Sequence, residues 1–155
     1  MPNVSALAAP IHVLAAIVWV GGMFFAYLVL RPAVDQMEGP ERLKLLNRVF
    51  ERFFAWVALA AALLPMSGYA QIYLDFGGFE NVGSHITTMQ ITGWIMIGLF
   101  LYIYAGPFQV FKRHVAAEEW PEAAARLNTI RLIIAVNLVL GLVTSVFGAS
   151  GRFWV

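Results

Sequence analysis

The chain has 155 residues, of which 61% are hydrophobic and 12% charged, with a formal net charge of +1 and no cysteine. Soluble domains are about 45–50% apolar and about 25% charged, so this composition is that of an integral membrane protein of single-domain length. Disulfides, thiolate metal sites and cysteine nucleophiles are excluded, and the charge gives no case for a nucleic-acid partner.

Four apolar runs follow one another, over residues 6–30, 53–74, 86–108 and 130–149. Each reaches the roughly 20 residues a helix needs to cross about 30 Å of hydrocarbon. Backbone groups in lipid must be satisfied within the segment, so an all-α, four-helix transmembrane bundle is predicted as one domain over residues 1–155. The first run does not read as a cleavable signal, since no Lys or Arg precedes it and it is too long for a signal core. The first connection carries Arg31, Arg42, Lys44, Arg48 and Arg52, and the third carries Lys112, Arg113 and Arg126, with Arg131 just beyond. The second connection, DFGGFENVGSH, carries neither Lys nor Arg. Basic loops stay in the cytoplasm, so both termini are expected in the periplasm of a bacterial inner membrane; only Arg152 runs against this. In PERLKLLNRVFERFF, Leu43, Leu46, Phe50 and Phe53 recur at helical spacing after Pro40, and WPEAAARLNTIR repeats the design. Both are read as interfacial helix, the first as an extension of the second span.

The first span holds an imidazole. His12, Ala15, Ala16, Trp19, Gly22, Met23 and Ala26 share one helical stripe, and small residues along a stripe let membrane helices approach closely. His12 is therefore expected to face its neighbours. On the second span Ala58, Ala61, Pro65 and Gly68 align; on the third, His85, Met89, Gly93, Met96 and Phe100; on the fourth, Asn137, Gly141, Thr144 and Gly148. At about 1.5 Å per residue, His12 lies about 9 Å from the outer end of its run. Met89 and Gln90 come to a similar level, with His85 a turn higher, residues 66–69 of the second span and Thr144 of the fourth. His12, His85, Met89 and Met66 are thus the candidate metal ligands in the outer half of the bundle.

A histidine inside a span is a functional candidate, because polar groups there are costly and need partners. The competing structural reading bonds His12 to Gln90, Thr144 or a carbonyl. Imidazole with thioether suits copper, above all Cu(I), and imidazole is also the common axial ligand of haem. Haem needs room, which Gly22, Gly68, Gly93 and Gly141 offer; with a macrocycle, His12, Trp19, Gly22 and Gly93 become the cofactor-binding set. Ligand types alone do not choose between copper and haem b. Asp75-Phe76-Gly77 and Ser67-Gly68 match catalytic motifs only by chance, and Asn137 reads as interhelical glue.

His12, Trp19 and Gly21-Gly22 in HVLAAIVWVGG resemble the first helix of CopD-domain membrane proteins, and are similar to that of the HemJ group of haem-containing protoporphyrinogen oxidases. MQITGWIMIGLFLYIYAGPF and IRLIIAVNLVLGLVTSVFGASGR look like small stand-alone CopD-like proteins. The CopD resemblance implies copper handling at the inner membrane. The HemJ resemblance implies a haem b ligated by His12; its pattern also has a lysine near the start of the third helix, where this chain reads SHITTMQITG. Copper handling leads, a haem b redox protein follows, and a structural subunit without cofactor is the third reading. The partners expected are the lipid bilayer and a metal ion or haem. A second copy, or a periplasmic copper or redox protein, would complete such a site's surroundings.

Overall fold

The computed structural model describes residues 4–153; the side chains of Val4, Ser5 and Arg152 lie outside the description. The described residues form helices and short connections, with no strand among them. The first helix, α1, runs over residues 4–34. It is followed by α2 (Gly39–Leu74), α3 (Ser84–Ala105), α4 (Pro107–Ala116) and α5 (Trp120–Ser150). Four stretches are long and apolar enough to span a bilayer: Ala6–Val34, Gly39–Leu74, Ser84–Ala116 and Trp120–Ser150. This is a multi-pass, all-helical membrane protein.

The spans are longer than the apolar runs. The PERLKLLNRVF segment is continuous with α2, and WPEAAARLNTIR is continuous with α5. In the first of these Leu43, Leu46, Phe50 and Phe54 are buried in the bundle, while Lys44, Arg48 and Arg52 are exposed. Phe54, not Phe53, takes the next core position. The apolar face of this extension therefore packs on its own protein instead of resting on head groups. The third apolar run is broken at Gly106-Pro107, where Gly106 has φ −108° and ψ −97°. A residue before proline is driven from the helical region, so α3 stops and α4 starts afresh, burying Phe108, Phe111 and Val115.

Helix α1 is not uniformly α-helical: Ile17–Gly21 and Phe25–Leu30 are wound as π-helix. The burial pattern gives a physical reason. Ala15, Trp19 and Met23 are buried and Tyr27 packs beside them, a spacing of four residues. At the 100° per residue of an α-helix, such a set drifts around the axis. The wider π turn keeps it facing the bundle.

Helix α1 packs chiefly on α2, and α3 on α5, while α2 and α3 scarcely meet. At the basic end the two pairs are joined by α4 and a nest of rings. Phe50 stacks on Phe54 at 5.4 Å, and Phe54 meets Phe108 edge-on at 4.9 Å and Phe100 at 5.9 Å. These are favourable aromatic geometries. At the opposite end Tyr69 and Tyr73 meet Phe79, at 5.9 and 5.7 Å, on the exposed connection after α2.

Candidate functional site

Where the ring nest stops, the two helix pairs enclose an open-sided cavity of about 710 Å³. All four spans line it: His12, Ala16 and Trp19 from α1, Gly68 from α2, Met89, Gln90 and Gly93 from α3, and Gly141 and Thr144 from α5 are among its walls. The stripe read along α1 faces inward as expected. Ala15, Trp19 and Met23 are buried and His12 half-buried, with the Trp19 ring edge-on to Phe100 at 6.1 Å.

His12 is fixed by α2. Its Nδ1 lies 3.1 Å from the Leu64 carbonyl oxygen and 3.0 Å from Ser67 Oγ. A carbonyl has no proton to give, so Nδ1 must carry the hydrogen and donate it. The Ser67 hydroxyl donates to Leu63 O at 2.6 Å, leaving an Oγ lone pair free to accept from the same Nδ1–H. In the neutral ring this leaves Nε2 unprotonated. Among the described residues nothing hydrogen-bonds Nε2, on a side chain that lines the cavity. A ring nitrogen donating to a carbonyl while the other stands bare is the orientation metal-binding histidines adopt. Gln90 also lines the cavity, and its Nε2 is buried without a hydrogen-bond partner.

The remaining candidates divide. Met89 and Gly93 line the cavity. The Met89 thioether rests on Gly148, its sulfur 3.3 Å from where a Cβ would stand, and nothing lies within 4 Å of that position at Gly93. Met66 is brought to no such place: it is 68% exposed on the outer wall of α2 and absent from the cavity lining. The level inferred for α2 was right, but Ser67 is the residue turned inward, one position and about 100° away. His85 also stands apart from the cavity, its ring packed on the backbone of Gly83 and Gly151. Gly22 serves helix contact instead of a cofactor, since a Cβ there would overlap the Phe53 ring. Gly68 is needed by the histidine itself, with His12 Cε1 3.3 Å from its would-be Cβ.

Neither Gln90 nor Thr144 binds His12. The Thr144 and Thr92 hydroxyls lie 2.7 Å apart and tie α5 to α3, as does Asn137 Nδ2 donating to Met96 O at 3.3 Å. Ser67 escaped the sequence reading, although a hydroxyl at the level of a buried imidazole was the available signal. Among the described residues no three His, Cys, Asp or Glu side chains gather in a group able to hold a metal ion.

A multi-pass helical membrane protein with an intramembrane, histidine-bearing cavity is the class these features define. Residues 47–150 match the family model of copper resistance protein D, CopD. As that match covers more than half of the chain, the protein belongs to the CopD family. It begins within α2, so His12 lies outside the matched residues. No curated protein and no solved structure matches the chain.

Proposed function

We propose that the protein handles copper within the membrane, with the cavity holding the ion and His12 Nε2 as its first donor. Membership of the copper-resistance family supports copper as the cargo. The pinned imidazole supports the site and carries the reading, because the Leu64 and Ser67 contacts leave Nε2 bare. Met89 supplies a thioether from the opposite pair of helices, and imidazole with thioether favours Cu(I). The distribution of Lys and Arg supports a cytoplasmic basic end. On this orientation both termini are periplasmic, the cavity lies in the periplasmic half of a bacterial inner membrane, and residues 1–155 make one transmembrane domain.

Anaerobic Cu(I) titration of the purified protein against a competing chelator tests this. One equivalent is expected, with His12→Ala weakening binding by more than the roughly 10–100-fold typical of an outer-shell partner. Unchanged binding in that variant refutes the site.

The size of the cavity favours a second reading, haem b on His12. About 710 Å³ is far more than one ion needs and falls within the roughly 300–1,000 Å³ of small-molecule and cofactor sites. The open wall at Gly93 fits a large ligand. His12 would then hold the haem, which would supply one-electron chemistry. An intense Soret band that vanishes in His12→Ala establishes haem; a colourless protein that binds Cu(I) establishes copper. If neither binds and His12→Ala only lowers thermal stability, the protein is a cofactor-free subunit.

A further inference from the structure

The two helix pairs touch where the cavity begins. Trp19 of α1 stands edge-on to Phe100 of α3 at 6.1 Å, and Val20 of α1 packs on α5 where Gly141 leaves no Cβ to obstruct it. Beyond that level the hydrogen bonds between helices run within a pair. His12 joins α1 to Leu64 and Ser67 of α2, and Thr144 of α5 joins Thr92 of α3. One bond crosses from pair to pair. Trp94 Nε1 of α3 donates to Tyr69 Oη of α2 at 3.0 Å, the single side-chain hydrogen bond between the pairs on that half among the described residues.

Both rings line the cavity, and Tyr69 is backed by Phe79 of the following connection at 5.9 Å. Trp94 stands ten residues beyond Ser84, about 15 Å along α3. That is deeper than the interfacial belt where tryptophan serves as an anchor. A polar group at such depth needs a partner, and here the partner belongs to the other pair. We propose that Tyr69 and Trp94 form a clasp that holds the two pairs together over the cavity. When it opens, the pairs swing apart about the ring nest and the ligand exchanges. Its role in exchange rests on the copper reading, in which His12 and Met89 come from opposite pairs and the closed clasp brings both to one ion. Interhelical hydrogen bonds in a bilayer are weak, because the separated groups find other partners, so the clasp opens at equilibrium.

The chain has no native cysteine, so pairs of spin labels report the opening without any ligand. Labels at Met66→Cys of α2 and Val146→Cys of α5, both exposed, span the cavity end. Labels at Arg48→Cys and Arg113→Cys, also exposed, span the basic end. In liposomes, Tyr69→Phe should raise the population at longer distance across the cavity end about threefold, the effect of one such bond. The basic end should not change. Trp94→Phe should act in the same way, and Tyr102→Phe, exposed on the same helix, should have no effect. Release of Cu(I) to a chelator, followed by stopped flow, should quicken by about the same factor in both clasp variants. Unchanged distances in Tyr69→Phe and Trp94→Phe, or an equal change at the two ends, would overturn the clasp. A widened cavity end with unchanged Cu(I) release would overturn its role in exchange. Failure of the unsubstituted protein to bind Cu(I) would instead refute the copper site, and the distances would still decide the clasp.

Discussion

The two ends of the bundle solve opposite problems. At the basic end Phe50, Phe54, Phe100, Phe108 and Phe111 are all buried and interlock across three helices. At the other end the corresponding inward positions are Gly68, Gly93, Gly141 and Thr144, and a cavity remains. Lipid tails are as apolar as leucine, so packing, not burial from water, holds membrane helices together. Within each helix pair the packing continues past the cavity, so what the ring nest adds is cohesion between the two pairs. The contrast teaches that rings join the two helix pairs at one end, where small residues leave them apart at the other.

Substitutions can break that contrast, and the largest effect belongs to the nest. Phe54→Ala should cost about 3 kcal/mol in detergent unfolding. This is the low end of the range for core phenylalanine because the transfer contribution is smaller when the helices stay in lipid. A loss no greater than that of Leu59→Ala, on the lipid face, would show that the nest does not hold the bundle. Next comes the cavity itself. Gly93→Phe should weaken binding of the ligand, copper or haem, with little change in melting temperature, since Gly93 lines a cavity of about 710 Å³ that can take the ring. A large destabilisation would mean that the space is tighter than described.

Ser67→Ala should act more gently. It removes one of the two acceptors of the His12 Nδ1–H but leaves the Leu64 carbonyl, so ligand affinity should fall by about tenfold, the low end for an outer-shell partner. The smallest effect is expected for Lys112→Gln. Its 2.8 Å ion pair with Glu51 is solvent-exposed, and such pairs contribute about 0.2–1 kcal/mol.

Helix number, the inward stripe of α1 and the level at which α2 meets His12 were legible in the sequence. Composition and 3.6-residue periodicity act locally and leave their mark in letters. What was not legible depends on rotation about a helix axis. Met66 and Ser67 are adjacent in the chain, yet one faces out and the other holds His12. His85 shares a stripe with Met89 but is drawn to Gly151 at the helix mouth, a contact between chain positions far apart. The π-wound turns of α1 respond to packing around Trp19 and Met23, and no short-range propensity encodes them. Gly22 and Gly93 look alike as letters; only the neighbouring helix decides that one seats Phe53 and the other borders empty space.

Underlying every functional reading is a bare ring nitrogen on His12, and the tautomer reports it directly. Nitrogen-15 NMR of the histidine-labelled protein, with the His12 signals identified by their disappearance in His12→Ala, is expected to show the proton on Nδ1. The Nε2 resonance should then shift when the ligand is added. A proton found on Nε2, or an Nε2 signal indifferent to both Cu(I) and haem, would contradict the account.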